Sequence, residues 1–170
     1  MSFKLAILTA LALGAGFATT AIAQPSPSPS MVKKFEDWGV YSYRSNGSRT
    51  CYVLTMAQDA RPASVQHGDN FFLVAPKPSG AGYFPQAIMG YDLKEGSQMR
   101  ATVNGQRFLL TARGNGGWTA EESRDAALVA ALKSGSSMTL EAVSKRGTET
   151  SYTFSLSGIS AALTEAGRCR

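Results

Sequence analysis

The sequence has few of the residues that usually hold metals or carry redox chemistry. Its 170 residues include two cysteines and one histidine. Zinc sites use Cys and His at short spacing, and the chain has neither a CxxC nor an HxxxH pair. It also lacks a loop dense in Asp and Asn, the pattern of a calcium site. We therefore expect no metal site and no cofactor.

Charge is also scarce. Charged residues make up 17% of the chain, and 17 Lys and Arg stand against 12 Asp and Glu. This excess is too small to predict the strongly basic surface with which proteins bind nucleic acids. We expect no nucleic-acid partner.

Long hydrophobic runs are limited to the N-terminus. An apolar run covers residues 5–17 after the positive charge of Lys4, and the small residues Ala21 and Ala23 follow it. This pattern predicts a signal peptide over residues 1–23, cleaved after Ala23. The run is shorter than the about 18 to 20 apolar residues of a membrane span, so we expect no transmembrane anchor in the mature form. We expect a periplasmic or a secreted, surface-associated protein.

Proline alternates with serine directly after this segment. Residues 24–34 therefore predict an extended Pro/Ser-rich tether, which has little apolar surface to bury. Residues 35–170 remain as a single domain, because a chain of about 150 residues can build a core of its own.

Short apolar or alternating runs separated by Gly, Asn-Gly or Pro fill most of this domain. They predict a mainly β fold, an antiparallel β-sandwich or flattened barrel of about seven or eight strands with two short helices. Long crossover helices, which a βαβ sheet needs, are missing from the pattern. The predicted strands cover residues 38–44, 49–56, 71–75, 85–91, 99–103, 106–110, 137–145 and 149–156.

Two Asn-Gly pairs predict hairpins. A type I′ turn at Asn104-Gly105 would pair Val103 with Gln106 and Ala101 with Phe108. This register places Met99, Ala101, Val103, Phe108 and Leu110 on the core face, with Arg100, Thr102 and Arg107 opposite.

The second pair, Asn46-Gly47, is less clear. A two-residue loop would set Arg44 directly across from Arg49, and like charges in that position are unfavourable. Either the loop is longer or the two arginines await an anion. We expect the longer loop, because four-residue hairpin loops are common.

Two helices interrupt the strands. The segment Thr119 to Glu122 reads as a capping box, in which the threonine hydroxyl and the glutamate carboxylate each satisfy a backbone N–H. A helix carrying Leu128, Val129 and Leu132 follows and ends at Gly135. Ser157 is predicted to cap a second helix, which Gly167 ends and whose apolar face is Ile159, Ala162, Leu163 and Ala166.

No catalytic constellation stands out, so we predict that the chain is not an enzyme and has no catalytic residues. His67 lies in a polar segment and is expected to be an exposed loop residue, and the glycine cluster 114–117 reads as a flexible turn. Glu121, Glu122 and Asp125 keep one alternative open, a carboxylate-dependent extracytoplasmic hydrolase. Acidic residues in a first helical turn are also what the helix dipole favours.

Two surface features could bind a partner. Tyr41, Tyr43 and Tyr52 could form an aromatic and basic face with nearby arginines, or could simply pack as strand residues. Predicted hairpin ends carry a candidate anion-binding patch, with solvated loop charge as the alternative. The patch consists of Arg44, Arg49, Lys145 and Arg146.

Cys51 and Cys169 are most economically a disulfide in an exported protein. The bond would pin the terminal helix to the sheet. The alternative is a pair of free thiols with Cys51 as a nucleophile, which would need an activating His or Lys that the sequence does not place beside it.

The chain resembles a short, two-cysteine member of the invasion-associated locus B family of bacterial envelope proteins. The resemblance covers about residues 35–169. It rests on Phe35-Glu-Asp-Trp-Gly39 followed by Cys51-Tyr52, and on the C-terminal stretches 127–135, 144–148, 152–158 and 160–163 before Cys169.

The resemblance implies a periplasmic or surface-associated, non-catalytic β-rich protein, of a family linked in some pathogens to entry into host cells. The leader, the strand pattern and the lack of a catalytic constellation lead us to expect a function in binding or structural contacts. The expected partner is an envelope or host-surface protein, or an anionic surface.

Overall fold

The computed structural model describes residues 28–169 apart from residues 46 and 80. The predicted signal peptide and residues 24–27 of the predicted tether lie outside the described residues.

Eleven strands and two α-helices make up the described part of the chain. The strands are β1 (Ser30–Phe35), β2 (Trp38–Ser45), β3 (Ser48–Met56), β4 (Asp59–Arg61), β5 (Phe71–Pro76), β6 (Tyr83–Ile88), β7 (Gln98–Val103), β8 (Gln106–Arg113), β9 (Gly116–Thr119), β10 (Ser137–Val143) and β11 (Glu149–Ser155). Helix α1 (Asp125–Ser134) follows the 3₁₀ turn Glu122–Arg124, and helix α2 (Ile159–Arg168) follows β11.

The strands form one antiparallel open sheet in the order β1-β2-β3-β5-β6-β9-β8-β7-β10-β11-β4. The sheet curls around its core. Only residues 57 and 58 separate β3 from β4, yet β4 forms the edge of the sheet opposite β1 and pairs with β11. The Gln58 amide donates a hydrogen bond to the Thr153 carbonyl of β11 at 2.8 Å.

The prediction of a mainly β, antiparallel fold with two helices is confirmed, whereas the sandwich or barrel of seven or eight strands was wrong. Three strands give no recognisable alternating pattern: β1 lies mostly in the predicted tether, β4 has three residues, and β9 begins at the glycines read as a flexible turn. Strand pairing that continues without a break also gives one open sheet, where two packed sheets or a flattened barrel were expected.

The hairpin at Asn104-Gly105 is confirmed, both in its strand register and in which side chains face the core. Val103 pairs with Gln106 and Ala101 with Phe108. Both turn residues have the positive φ that a type I′ turn requires, 48° at Asn104 and 77° at Gly105. The residues predicted for the core face are all buried.

The β2–β3 hairpin contradicts the predicted longer loop. Arg44 pairs with Arg49 and the next pair closes the hairpin, so only residues 46 and 47 lie between the strands. Burial explains this register. Val40 and Val53, paired in the same hairpin, are fully buried. Exposing one such side chain costs about 1.5 to 3 kcal/mol, whereas an unfavourable cross-strand pair costs roughly 0.2 to 1 kcal/mol.

The two helices cover the inward face of the curled sheet. Helix α1 packs on β6, and α2 packs on β1, β2 and β3. The predicted apolar face of α2 is buried, as are Leu128 and Leu132 of α1, and α1 is followed by Gly135 as predicted.

Both predicted N-caps were wrong. Thr119 is the last residue of β9, and the 3₁₀ turn before α1 carries it away from the helical N–H groups. Gly158 is the N-cap of α2, and Ser157 makes no side-chain cap. The positive φ of Gly158, 92°, and the close approach of this residue to the Phe35 carbonyl both require glycine. Helix α2 also continues one residue past Gly167.

The predicted disulfide is present. Cys51 of β3 is bonded to Cys169, directly after α2, with a Cα–Cα distance of 6.0 Å. The alternative of two free thiols was therefore wrong. The bond fixes the end of α2 to the sheet that it covers.

Reducing this disulfide should destabilise the protein and release α2 first. The bond closes a loop of 118 residues. For a loop of about 100 residues, the chain-entropy model assigns about 4.7 kcal/mol, an upper guide to the free energy of unfolding that is lost. We expect a lower Tm in reductant and early proteolysis within α2. Cys51→Ser with Cys169→Ser should reproduce the effect without reductant, and an unchanged Tm would contradict the stabilising role.

Candidate functional site

The outward face of the sheet is divided into an apolar and a polar half. The five adjacent strands β2, β3, β5, β6 and β9 present mostly aromatic and aliphatic side chains outward. The next strands, β8, β7, β10 and β11, present threonine, serine and charged residues together with Leu109. We call the first half the apolar outer face. Gln86 is a polar residue within it, between Leu73 and Trp118, and its apolar side chains are Tyr41, Tyr43, Tyr52, Leu54, Met56, Phe71, Leu73, Phe84, Ile88 and Trp118.

Three tyrosines lie together at one side of the apolar outer face. Tyr41 pairs with Tyr52 across β2 and β3, with ring centroids 5.8 Å apart, and Tyr43 lies 6.2 Å from Tyr52. Burial raises the pKa of Tyr52, and Tyr41 and Tyr43 raise it further. The structure therefore brings the predicted tyrosines into one cluster.

Two aromatic rings are held flat along the sheet by glycines. A Cβ atom on Gly39 would lie 2.5 Å from the Tyr41 ring, and one on Gly116 would lie 2.5 Å from the Trp118 ring. Glycine leaves the space that these rings occupy. The side chains with the greatest exposure on this face are Met56 at 49%, and Tyr43 and Trp118 at 37% each.

The four residues of the predicted anion-binding patch are not brought together. Arg44 and Arg49 lie beside the β2–β3 turn, and Lys145 and Arg146 lie in the β10–β11 turn. The strand registers place these two turns at opposite ends of the sheet. Lys145 also forms an exposed ion pair with Asp92 at 3.5 Å. Anion binding itself stays a prediction for each pair.

Each basic pair lines its own cavity. Arg44 and Arg49 line one of about 450 Å³, which we call the arginine cavity, together with Ser28, Ser30, Ser42 and Tyr43. Lys145 and Arg146 line another of about 240 Å³, whose other walls include His67, Tyr91 and Thr150.

His67 is half-buried, so the prediction of an exposed loop residue was wrong. Its Nδ1 lies 2.8 Å from the Tyr152 hydroxyl, and its Nε2 lies 2.9 Å from the Pro62 carbonyl. The Tyr152 hydroxyl donates to Tyr91 at 3.1 Å, and Tyr91 bonds to Thr150 at 2.7 Å. This chain of hydrogen bonds ties the segment after β4 to β11. His67 and Tyr152 are 85 residues apart in the sequence, so no local sequence pattern could reveal this contact.

The three carboxylates of the hydrolase alternative have different surroundings. Asp125 is buried, accepts a hydrogen bond from Thr119 and lies 2.9 Å from the Lys77 ammonium. Glu122 is exposed and lies 2.8 Å from the same ammonium, and Glu121 is exposed. Hydrogen bonds to Glu122 and then Asp125 raise the pKa of Lys77. One lysine thus pairs with two of the carboxylates and joins α1 to the end of β5.

Most of the apolar outer face and Lys77 were not predicted from the sequence. Residues 71–75 did contain a signal for the apolar outer face. They are a continuous apolar run, whereas a strand with one solvent-exposed face usually alternates apolar and polar residues. Lys77 meets Asp125 only through the fold, because 48 residues separate them.

Some features are absent from the described residues. Among them, no three His, Cys, Asp or Glu side chains are grouped so that they could hold a metal ion. Within the same part of the chain, no helix is long and apolar enough to cross a membrane.

Comparison with protein families matches residues 38–167 to the family described as Invasion associated locus B (IalB) protein. The chain belongs to the IalB family. The resemblance noted in the sequence is thereby confirmed. The matched range starts at the first residue of β2 and ends within α2, so β1 and Cys169 lie outside it.

A solved structure has a similar fold. The crystal structure of invasion associated protein B from Bartonella henselae is 14% identical to this IalB chain, with a TM-score of 0.61. The similarity covers 82% of this chain and 96% of the Bartonella chain. No curated protein sequence matches the chain.

Replacing Asp125 should destabilise this IalB protein more than replacing Glu122. Asp125→Ala leaves the Lys77 ammonium without its buried partner, and loss of a hydrogen bond to a charged group costs about 1.5 to 3 kcal/mol. Glu122→Ala removes an exposed partner and should cost about 0 to 1 kcal/mol. Urea unfolding of both variants gives the comparison, and equal losses would contradict a structural role for the buried carboxylate.

Alkaline pH should destabilise the protein through Tyr152. Burial, and then the hydrogen bond with Tyr91, raise the pKa of Tyr152 well above its usual range. An unfolded tyrosine ionises near about pH 10. The contribution of the neutral Tyr152 hydroxyl to the free energy of unfolding is therefore complete below about pH 10 and is lost as the pH rises through the folded-state pKa. Unfolding measured from neutral to alkaline pH should show this loss, and Tyr152→Phe should reduce it.

At neutral pH, Tyr152→Phe should cost about 1 to 3 kcal/mol, because it removes the hydrogen bonds to His67 and Tyr91. Tyr43→Phe is the control, since its hydroxyl is exposed and has no hydrogen-bond partner among the described residues. Its neutral-pH Tm should not change. A Tyr152→Phe protein with the Tm and alkaline profile of the native chain would contradict the role of this network.

Proposed function

We propose that this IalB protein is an exported, non-enzymatic envelope protein that acts by binding, and that its apolar outer face contacts a partner protein. Family membership and the disulfide support a position outside the reducing cytoplasm. The leader pattern over residues 1–23, with cleavage after Ala23, supports export to the periplasm or the cell surface.

The size of the apolar outer face carries the proposal. It extends over five adjacent strands, and strands are spaced about 4.8 Å apart, so it is about 20 Å across. Isolated exposed apolar residues are normal on protein surfaces, whereas a contiguous patch marks an interaction site. The contrast with the polar half of the same sheet shows that an outward position does not by itself require apolar residues.

The chemistry of this face favours a protein partner over an anionic surface. None of its ten apolar residues carries a charge; four of them are tyrosine or tryptophan, two are phenylalanine and one is methionine. Aromatic residues and methionine are enriched at protein interfaces, where tyrosine and tryptophan often contribute most of the binding free energy. An anionic lipid or polysaccharide would instead select lysine and arginine. The partner is an envelope protein with an apolar surface, or one on a host cell.

The hydrolase alternative receives no support from its carboxylates. Glycoside hydrolysis needs one carboxyl group that can give up a proton and a second that is free to act as base or nucleophile. Glu122 and Asp125 instead share the ammonium group of Lys77, at 2.8 and 2.9 Å. We therefore place the function in binding.

Charge introduced at the apolar outer face should weaken binding to native envelope. We expect Met56→Asp to reduce the affinity of the purified mature protein for sedimented envelope about 10-fold or more, because it buries an unpaired charge in the contact. Leu109→Asp is the matched control, since Leu109 is 45% exposed on the polar half of the sheet and Met56 is 49% exposed. Its affinity should be unchanged, and the Tm of each variant checks folding.

Protease treatment of the envelope identifies the class of partner. A protein partner predicts that prior proteolysis abolishes the binding that depends on Met56. Binding that survives proteolysis, or that falls equally with Leu109→Asp, would refute the proposal.

A further inference from the structure

Two arginines face each other on the side of the β2–β3 hairpin opposite the tyrosine pair. Arg44 pairs directly with Arg49, and by strand alternation both lie on the same side as the buried Val40 and Val53. Like charges in directly opposed positions repel each other. The core fixes this register, so both arginines stay on one side of the hairpin, where both line the arginine cavity.

Among the described residues, no side-chain carboxylate relieves this repulsion. All twelve Asp and Glu residues of the chain are among the described residues. The ion pairs within that part of the chain join carboxylates to Arg61, Lys77, Arg100 and Lys145, and none involves Arg44 or Arg49. The two arginines are therefore available to an external anion.

A buried hydroxyl group lies beside them. Ser42 is 6% exposed and lines the arginine cavity. It pairs with Ser30 on one side and Cys51 on the other, one row below the arginines. The cavity is thus lined by guanidinium and hydroxyl groups, which are the donors that bind oxyanions.

We infer that Arg44, Arg49 and Ser42 form a binding site for a phosphate monoester. A phosphate monoester carries about −1.5 to −2 charges at pH 7, which matches two guanidinium groups. Arginine also fits phosphate oxygens with two parallel hydrogen bonds. The cavity volume of about 450 Å³ lies in the range of small-molecule sites, so it has room for the group that the phosphate esterifies.

The three donors of the site do not belong to the proposed protein contact, although Tyr43 of the apolar outer face also lines the arginine cavity. They lie on the inward side of β2 and β3, whereas Tyr41 and Tyr52 belong to the apolar outer face. The monoester can come from a free phosphorylated compound or from a lipid headgroup, and both present the same group to the arginines.

Thermal unfolding in phosphate is the first test, made on the oxidised mature protein. We expect inorganic phosphate to raise the Tm, with chloride at equal ionic strength as the comparison. Arg44→Gln and Arg49→Gln should each weaken phosphate binding about 10-fold or more, and Ser42→Ala about 3-fold. Arg107→Gln is the matched control, because Arg107 is an exposed arginine on the outward side of β8. Its phosphate affinity should stay unchanged.

The source of the phosphate is tested with vesicles of phosphatidylcholine, alone or mixed with phosphatidic acid. If the protein co-sediments with the phosphatidic acid vesicles and Arg44→Gln abolishes this binding, the result supports the site and indicates that the phosphate belongs to a lipid headgroup. Phosphate binding without vesicle binding would support it with a soluble source. The inference is overturned if phosphate gives no more stabilisation than chloride, or if Arg107→Gln loses as much affinity as Arg44→Gln.

Discussion

Burial of the inward side chains of one unbroken antiparallel ladder determines where every other group in this molecule lies. Because side chains alternate along a strand, a slip of one residue would exchange the two faces. In β2 and β3 such a slip would expose Val40 and Val53, which are fully buried. The charge repulsion between Arg44 and Arg49 is smaller than that loss, so the arginines remain opposed.

Local patterns in the sequence predicted the parts of the fold that depend on local interactions. The turn at Asn104-Gly105 sets its own strand register, because both positions favour positive φ. The apolar face of α2 follows from helical spacing. The disulfide needed only two cysteines and an oxidising compartment, since no other pairing within the chain was available.

The features that were not predicted from the sequence arise between distant segments. The order of strands in a sheet depends on which edges meet, and β4 and β9 are recognisable only by their neighbours β11, β6 and β8. The candidate surfaces have the same origin. Asp125 reaches Lys77 over 48 residues, and His67 reaches Tyr152 over 85 residues. No propensity or short motif encodes such pairs, so they require the folded chain.

The β2–β3 hairpin joins two surfaces of different chemistry through one backbone. Its outward positions carry the tyrosine pair, and its inward positions carry the valines of the core and, nearer the turn, the two arginines. Cys51 lies between these inward regions and holds the end of α2 through Cys169. A change in the packing of α2 therefore acts on the same strands that present both surfaces. The disulfide limits that change, because it fixes the helix end two residues along β3 from Arg49.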